Sequence, residues 1–308
     1  MTRPMKPPRA PAPGLPLSPF TFLGLEVDGN TYHQAATVVL PVPYDGTASF
    51  KSGAREGPEA IISASRELEE YDAELQCDPC SMGIHTAPAV EPHMGSPEKM
   101  VARVAQAVAP AAKERKLVAT LGGDHSVSIG AVQAFASQHS DLSVLYLDAH
   151  ADLRQEYLGT AWGHASSARR IAEMCPLVLV GVRSMSREEA EFIETSGIPC
   201  FPYAGNEGAL PVEDVIGTLS PNVYISIDLD VFDPSFMAAV GTPVPGGMNW
   251  YQVLRLLRQV ASARRIVGFD VVELSPREGP AACAFTAAAL VYKLIGYSVA
   301  LGPGARRW

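Results

Sequence analysis

Six residues of the types that bind divalent cations, His125, Asp148, His150, Asp152, Asp228 and Asp230, fall in three short runs: GGDHS at 122–126, DAHAD at 148–152 and SIDLDVFDP at 226–234. Carboxylates and imidazoles gathered in one crevice repel and desolvate one another unless cations hold them together. Two divalent ions would offset the four aspartate charges. Asp and His ligands without cysteine point away from a structural zinc site and toward Mn²⁺ or a similar oxygen-tolerant metal. A metal pair lowers the pKa of a shared water and makes hydroxide available near neutral pH, so the chemistry implied is hydrolysis. GGDHS alone also reads as a tight turn and helix cap, the glycines forming the turn and Ser126 or Asp124 the N-cap. DAHAD resists such a reading, because a His flanked by two Asp after an apolar strand buries charge for no structural gain.

Each run follows a stretch of strand character. Short β-branched or apolar runs at Thr37–Leu40, Leu117–Leu121, Leu142–Leu147, Leu177–Val182, Val223–Leu229 and Arg265–Val272 predict strands. Between them, Pro58–Tyr71, Pro97–Glu114, Ser126–Gln138, Arg187–Ser196, Tyr251–Ala261 and Ala281–Tyr297 have helical composition. Strands alternating with helices predict an α/β fold of three layers, α/β/α, around a mostly parallel central sheet. In such a sheet ligands bind beyond the carboxyl ends of the strands, where all three runs lie. Spacing of i, i+2 and i+4 in the last two runs points the acidic and His side chains one way if the chain stays extended, and puts Tyr224, Ser226, Asp228 and Asp230 on one face.

Composition narrows the function classes. A chain of 308 residues with 47% hydrophobic and 19% charged residues can bury a large core. Residues 1–20 hold seven prolines and predict an extended arm, leaving 21–308 as one domain. The net charge of −9 argues against nucleic acid and suits a cationic small molecule. No run appears long and apolar enough for a membrane span, and no signal-peptide pattern follows the N-terminal basic residues, so a cytoplasmic location is expected. Five scattered cysteines predict reduced thiols, and Cys77 and Cys80 lack the second pair of a zinc site.

GGDHS, DAHAD and the S-x-D-x-D-x-x-D-P pattern resemble, in the same order, those of the ureohydrolase family, which includes arginases and agmatinases. PVPYDGTASFKSGAREGPEAI near the start, GTPVPGG at 241–247 and GFDVVELSP at 268–276 extend the resemblance over roughly residues 35–298. The resemblance implies an arginase-like fold, a trimer or hexamer, and two manganese ions. One ion would be held by His125, Asp148, Asp152 and Asp228, the other by Asp148, His150, Asp228 and Asp230. It implies hydrolysis of a guanidinium group to urea and an amine, with Asp152 orienting the attacking hydroxide and taking up its proton. Glu273 would pair with the substrate guanidinium, His164 would shuttle a proton to the leaving amine, and Thr242 of GTPVPGG would meet substrate at the pocket rim.

Arginases grip the amino end of arginine with an Asp where this chain has Ser186, and meet its carboxylate with an Asn where this chain has Arg154. Both departures favour a decarboxylated substrate. Agmatine would give putrescine, and an aminopropyl-extended agmatine would give spermidine. Arginine or another guanidino compound is the alternative within the family, and a non-catalytic metal- or polyamine-binding protein the alternative outside it.

Overall fold

The computed structural model describes residues 19–203 and 210–303, so residues 1–18 of the expected arm lie outside the described residues. Apolar runs pair into one sheet: β1 (Thr37–Val42), β2 (Ile84–Thr86), β3 (Leu117–Gly122), β4 (Leu142–Leu147), β5 (Leu177–Val180), β6 (Cys200–Phe201), β7 (Asn222–Asp228) and β8 (Arg265–Val272). Their order is β2-β1-β3-β8-β7-β4-β5-β6, and every pairing is parallel. The helices between them are α1 (Gly57–Ser65), α2 (Pro97–Lys113), α3 (Val127–Ala136), α4 (Ser167–Ala172), α5 (Arg187–Ser196), α6 (Val212–Thr218), α7 (Trp250–Ala263) and α8 (Ala282–Ala300).

Period-two alternation sorts the strand side chains onto two cores. On β4, Leu142, Val144 and Tyr146 join a cluster with α2, α3 and α4, while Leu145 and Leu147 join one with α1, α6, α7 and α8. Both faces of the sheet are thus covered, the expected α/β/α layering. The strands that precede the three runs, and β8 with them, are the adjacent central set β3-β8-β7-β4. Their carboxyl ends therefore open side by side.

Several boundaries differ from the sequence expectation. The helix expected to reach Tyr71 ends at Ser65, whose hydroxyl bonds back to the Ile62 carbonyl at 2.7 Å and accepts the Leu23 N–H at 2.9 Å. β5 stops at Val180 because Gly181, at φ +100°, turns the chain. β2 and β6 are edge strands of three and two residues, too short to show a period, and α4 and α6 are under three turns. Helix α8 corrects the expectation about apolar runs, since its 19 residues are long and apolar enough to cross a membrane by length and composition. Here it packs on α1, β3 and β8, and its Lys293 pairs with Asp72 at 2.9 Å. All five cysteines are free.

Candidate metal centre and substrate pocket

Backbone geometry at the strand ends comes first. The glycines of GGDHS answer to close packing rather than to a turn: a Cβ on Gly123 would lie 1.8 Å from the Tyr44 carbonyl oxygen, and one on Gly122 2.5 Å from Val272. That close approach lets the Asp124 N–H bond Tyr44 O at 2.7 Å, and the Glu273 N–H bond Gly123 O at 2.8 Å. Ser126 makes no side-chain cap; the Asp124 carboxylate instead accepts the Ser126 N–H at 3.1 Å and, through its other oxygen, the Thr47 N–H at 2.9 Å. The DAHAD run starts after β4 has ended, and Asp230, two residues past the end of β7, lies in a 3-10 turn, Leu229–Val231. The extended spacing expected for these runs therefore stops at Asp228, and Asp230 reaches the site because the turn folds it back: its N–H bonds Asp228 Oδ1 at 2.8 Å.

Two donor trios result, His125 with Asp148 and Asp228, and Asp148 with His150 and Asp230, each with ligand atoms within 4.8 Å of one another. Asp148 belongs to both. Its Oδ2 lies 3.0 Å from His125 Nδ1 and its Oδ1 3.6 Å from His150 Nδ1, one oxygen toward each trio. Asp228 Oδ2 is 3.3 Å from His125 Nδ1, and Asp230 Oδ2 is 2.8 Å from His150 Nδ1. Asp152 stands beside the first trio, 3.6 Å from His125 Nδ1, with its Oδ2 accepting from Tyr146 at 2.9 Å and Ser167 at 3.2 Å.

The donor set fits a divalent cation. His125 Nδ1 and Asp148 Oδ2 are buried and make no hydrogen bond, although they face each other. On its far side His125 is held by Nε2, 2.8 Å from Ser226 Oγ, and Ser226 in turn donates to Asp270 Oδ1 at 2.8 Å. Asp270 also accepts from Tyr224 at 2.8 Å. With its own proton given to Asp270, the Ser226 oxygen accepts the Nε2 N–H, which leaves Nδ1 as a lone pair aimed at the carboxylates, the tautomer a metal ligand needs. Burial, then the neighbouring acids, pushes the carboxyls of Asp152 and Asp228 well above the usual range. Burial lowers the His150 pKa, yet hydrogen bonds to Asp148 and Asp230 override it and carry that pKa up to about 12.

A cavity of about 310 Å³ opens over this cluster, lined among others by Asp152, His164, Thr242 and Glu273. Asp152 and Glu273 both adopt left-handed backbone, at φ 51° and 65°. A non-glycine residue pays roughly 1–2 kcal/mol there, a strain concentrated where side chains must be aimed. Glu273 Oε1 accepts the His125 N–H at 2.8 Å, and burial followed by the Asp124 charge raises its pKa well above the ordinary value. His164 Nε2 lies 3.1 Å from Ser49 Oγ and the His164 main-chain N–H bonds Thr47 Oγ1 at 3.0 Å, while the Thr47 hydroxyl donates to Asp124 at 2.8 Å. Burial lowers the His164 pKa. From sequence, Thr47 and Asp270 have no role, Asp124 only that of an alternative N-cap, and Ser226 only a place on the face shared by Tyr224, Asp228 and Asp230. Asp270 carried one signal, a carboxylate in the middle of the apolar run RIVGFDVV.

Ser186 and Arg154 also line this cavity. Ser186 is the N-cap of α5, closing a capping box with Glu189, and its hydroxyl donates to Glu189 at 2.8 Å. Arg154 lies over the Tyr157 ring, 4.9 Å from its centroid.

Comparison with known proteins agrees with this geometry. The arginase family model matches residues 35–296. Over 267 residues the chain is 44% identical to the N(1)-aminopropylagmatine ureohydrolase of Thermus thermophilus, covering 86% of this chain and 91% of that protein. The N(1)-aminopropylagmatine ureohydrolase of Synechocystis sp. is 36% identical, with 87% of this chain and 90% of that protein covered. The solved agmatine ureohydrolase of Thermoplasma volcanium superposes with a TM-score of 0.80 at 30% identity, over 87% of this chain and 92% of that one. The arginase family is binuclear-metal dependent, in keeping with the Asp and His groups gathered here. A match spanning the whole sheet, and including every residue of the two donor trios, makes this chain a member of the arginase family.

Proposed function

We propose that this chain hydrolyses the guanidino group of agmatine or N1-aminopropylagmatine, releasing urea with putrescine or spermidine. One observation carries the reading: a single cavity is lined jointly by Asp152, His164, Thr242 and Glu273 and by His150 and Asp228 of the donor trios. The names of the relatives supply the substrate class. His125, Asp148, Asp152 and Asp228 would hold one divalent ion and Asp148, His150, Asp228 and Asp230 the other, with manganese as the metal. Bound there, such ions supply Lewis acidity and hydroxide near neutral pH.

The protein groups divide the remaining work. The Glu273 carboxylate pairs with the planar guanidinium and orients it, with Thr242 at the rim of the same cavity. Asp152, held by Tyr146 and Ser167, accepts the proton of the attacking water. His164, whose pKa burial lowers, takes up the proton released from the attacking water and passes it to the departing amine nitrogen as the C–N bond breaks. Ser186, committed to Glu189, offers no carboxylate to the amino end of arginine. We take residues 21–308 as one catalytic unit, a reading supported by the single sheet of the described residues, and, as the family resemblance implies, as a subunit of a cytoplasmic homo-oligomer.

Arg154 supports a second reading. It is a cation lining the cavity with no ion pair among the described residues, and it would suit a guanidino compound that carries a carboxylate, arginine included. Urea release from agmatine, N1-aminopropylagmatine, arginine and guanidinobutyrate, on protein of measured metal content, separates the two. The first two are expected to turn over fastest. Inertness toward both would overturn the proposal.

A further inference from the structure

Arg183 lies behind the second donor trio and has no part in the chemistry above. Its guanidinium makes six hydrogen bonds, all to main-chain carbonyls. Nη2 reaches Asp230 O at 2.6 Å, Val244 O at 2.7 Å and Phe232 O at 3.2 Å. Nη1 reaches Gly181 O and Val231 O, each at 3.3 Å, and Nε reaches Val244 O at 3.2 Å. Its main chain holds a further segment, the Arg183 N–H bonding Ala149 O at 2.8 Å.

These partners are the pieces of one site. Carbonyls 230–232 end the 3-10 turn Leu229–Val231, where helix geometry leaves acceptors without donors. That turn presents Asp230. Ala149 sits between Asp148 and His150, and its N–H bonds Asp230 Oδ1 at 2.9 Å. Val244 belongs to the loop that carries Thr242 to the cavity. One residue therefore braces both halves of the second trio, with its main chain on the Asp148–His150 side and its side chain on the Asp230 side. It makes no hydrogen bond or ion pair to His125 or Asp228 among the described residues, although the Asp228 charge acts on it less than that of Asp230 does. A planar fork with five N–H donors is needed to serve five carbonyls from three segments, which an ammonium with three donors cannot do.

We propose that Arg183 is a positioning residue that sets the affinity of the ion held by Asp148, His150 and Asp230, and acts less on the ion at His125, which shares only Asp148 with that trio. The proposal rests on the reading that both trios bind metal. Full-length protein stripped of metal is titrated with Mn²⁺ by calorimetry, as wild type, R183K and R183M, with H150N marking the step that belongs to the second trio. Thermal unfolding of each stripped protein tracks the fold. In R183K that step is expected to weaken by ~10–100-fold, the usual effect of losing a group that orients a ligand, with the other step weakened less. R183K placed on H150N is expected to add nothing to the loss of metal binding. Equal weakening of both steps, or none, would overturn the proposal while leaving two-metal binding intact. A wild type that takes up a single ion would overturn both. If R183M fails to fold, the R183K titration decides alone.

Discussion

Replacing Ser226 with Ala tests whether the hydroxyl sets the metal-binding tautomer of His125. The side chain is fully buried, and its Oγ is 2.8 Å both from His125 Nε2 and from Asp270 Oδ1. Removing it strips the acceptor from a buried N–H and one donor from a buried carboxylate, and the space left is a single hydroxyl, too small for water to replace it. Each orphaned buried group costs ~1–3 kcal/mol, the carboxylate more than the imidazole, so the metal-free protein should lose about 2–4 kcal/mol. Asp270 keeps the Tyr224 hydroxyl at 2.8 Å, which holds the loss below the sum of the extremes. Independently, an unfixed imidazole populates the tautomer with a proton on Nδ1, and Mn²⁺ affinity at the His125 position should fall by ~10–100-fold. Calorimetric unfolding of the stripped protein reads the first effect and Mn²⁺ titration the second. Tyr224→Phe removes the other donor to Asp270 without touching His125, so it should lower stability and spare affinity. Wild-type Mn²⁺ affinity in Ser226→Ala, or equal loss of affinity in both variants, would refute the tautomer argument.

Three further outcomes are expected. His164→Ala should lower kcat by ~10²–10⁴-fold, the range for losing a positioned acid or base, with two ions still bound by elemental analysis; a loss of metal would show that His164 has another role. Asp233 is held to about 2 by the Ser235 hydroxyl and N–H, with the Gly246 and Gly247 N–H groups adding to them. A depressed carboxyl contributes stability that is whole above its unfolded value of 3.8 and lost as pH falls through about 2. At neutral pH Asp233→Asn should cost ~1–2 kcal/mol after solvent screening, with the gap to wild type closing between those two pH values; a gap independent of pH would count against this account. Metal removal should lower the melting temperature at neutral pH, and Mn²⁺ at a hundred times its Kd should restore ~2.7 kcal/mol, so a melting temperature insensitive to Mn²⁺ would count against ion binding by the trios.

The central strands were legible because a strand buried on both faces must be mostly apolar, and β3, β4 and β8 are such runs, ending at Gly122, Leu147 and Val272 with Asp148 and Glu273 the residues that follow the last two. What sequence pattern misread is how the acids beyond those ends come together. Alternation extrapolated the strand through Asp230, whereas the chain turns at Asp228 and a 3-10 turn folds Asp230 back, its carbonyl capped by Arg183 from a strand end 47 residues away in sequence. Period carries information only while the backbone stays regular, and binding residues sit where it has stopped being so. The supporting groups were hidden for a related reason. Asp270 pairs in register with Ser226 across β7 and β8, so its meaning depends on which strands are neighbours, and these two meet β3 and β4 only after crossovers that composition does not order. A lone Asp inside RIVGFDVV nevertheless marked a cost that something had to offset. Its offset is the Tyr224 and Ser226 hydroxyls, and through Ser226 that buried carboxylate reaches the ring of His125. The ligand shell and the core of the sheet are therefore one hydrogen-bonded unit, and a change at Asp270 should be felt at the metal before it is felt at the substrate.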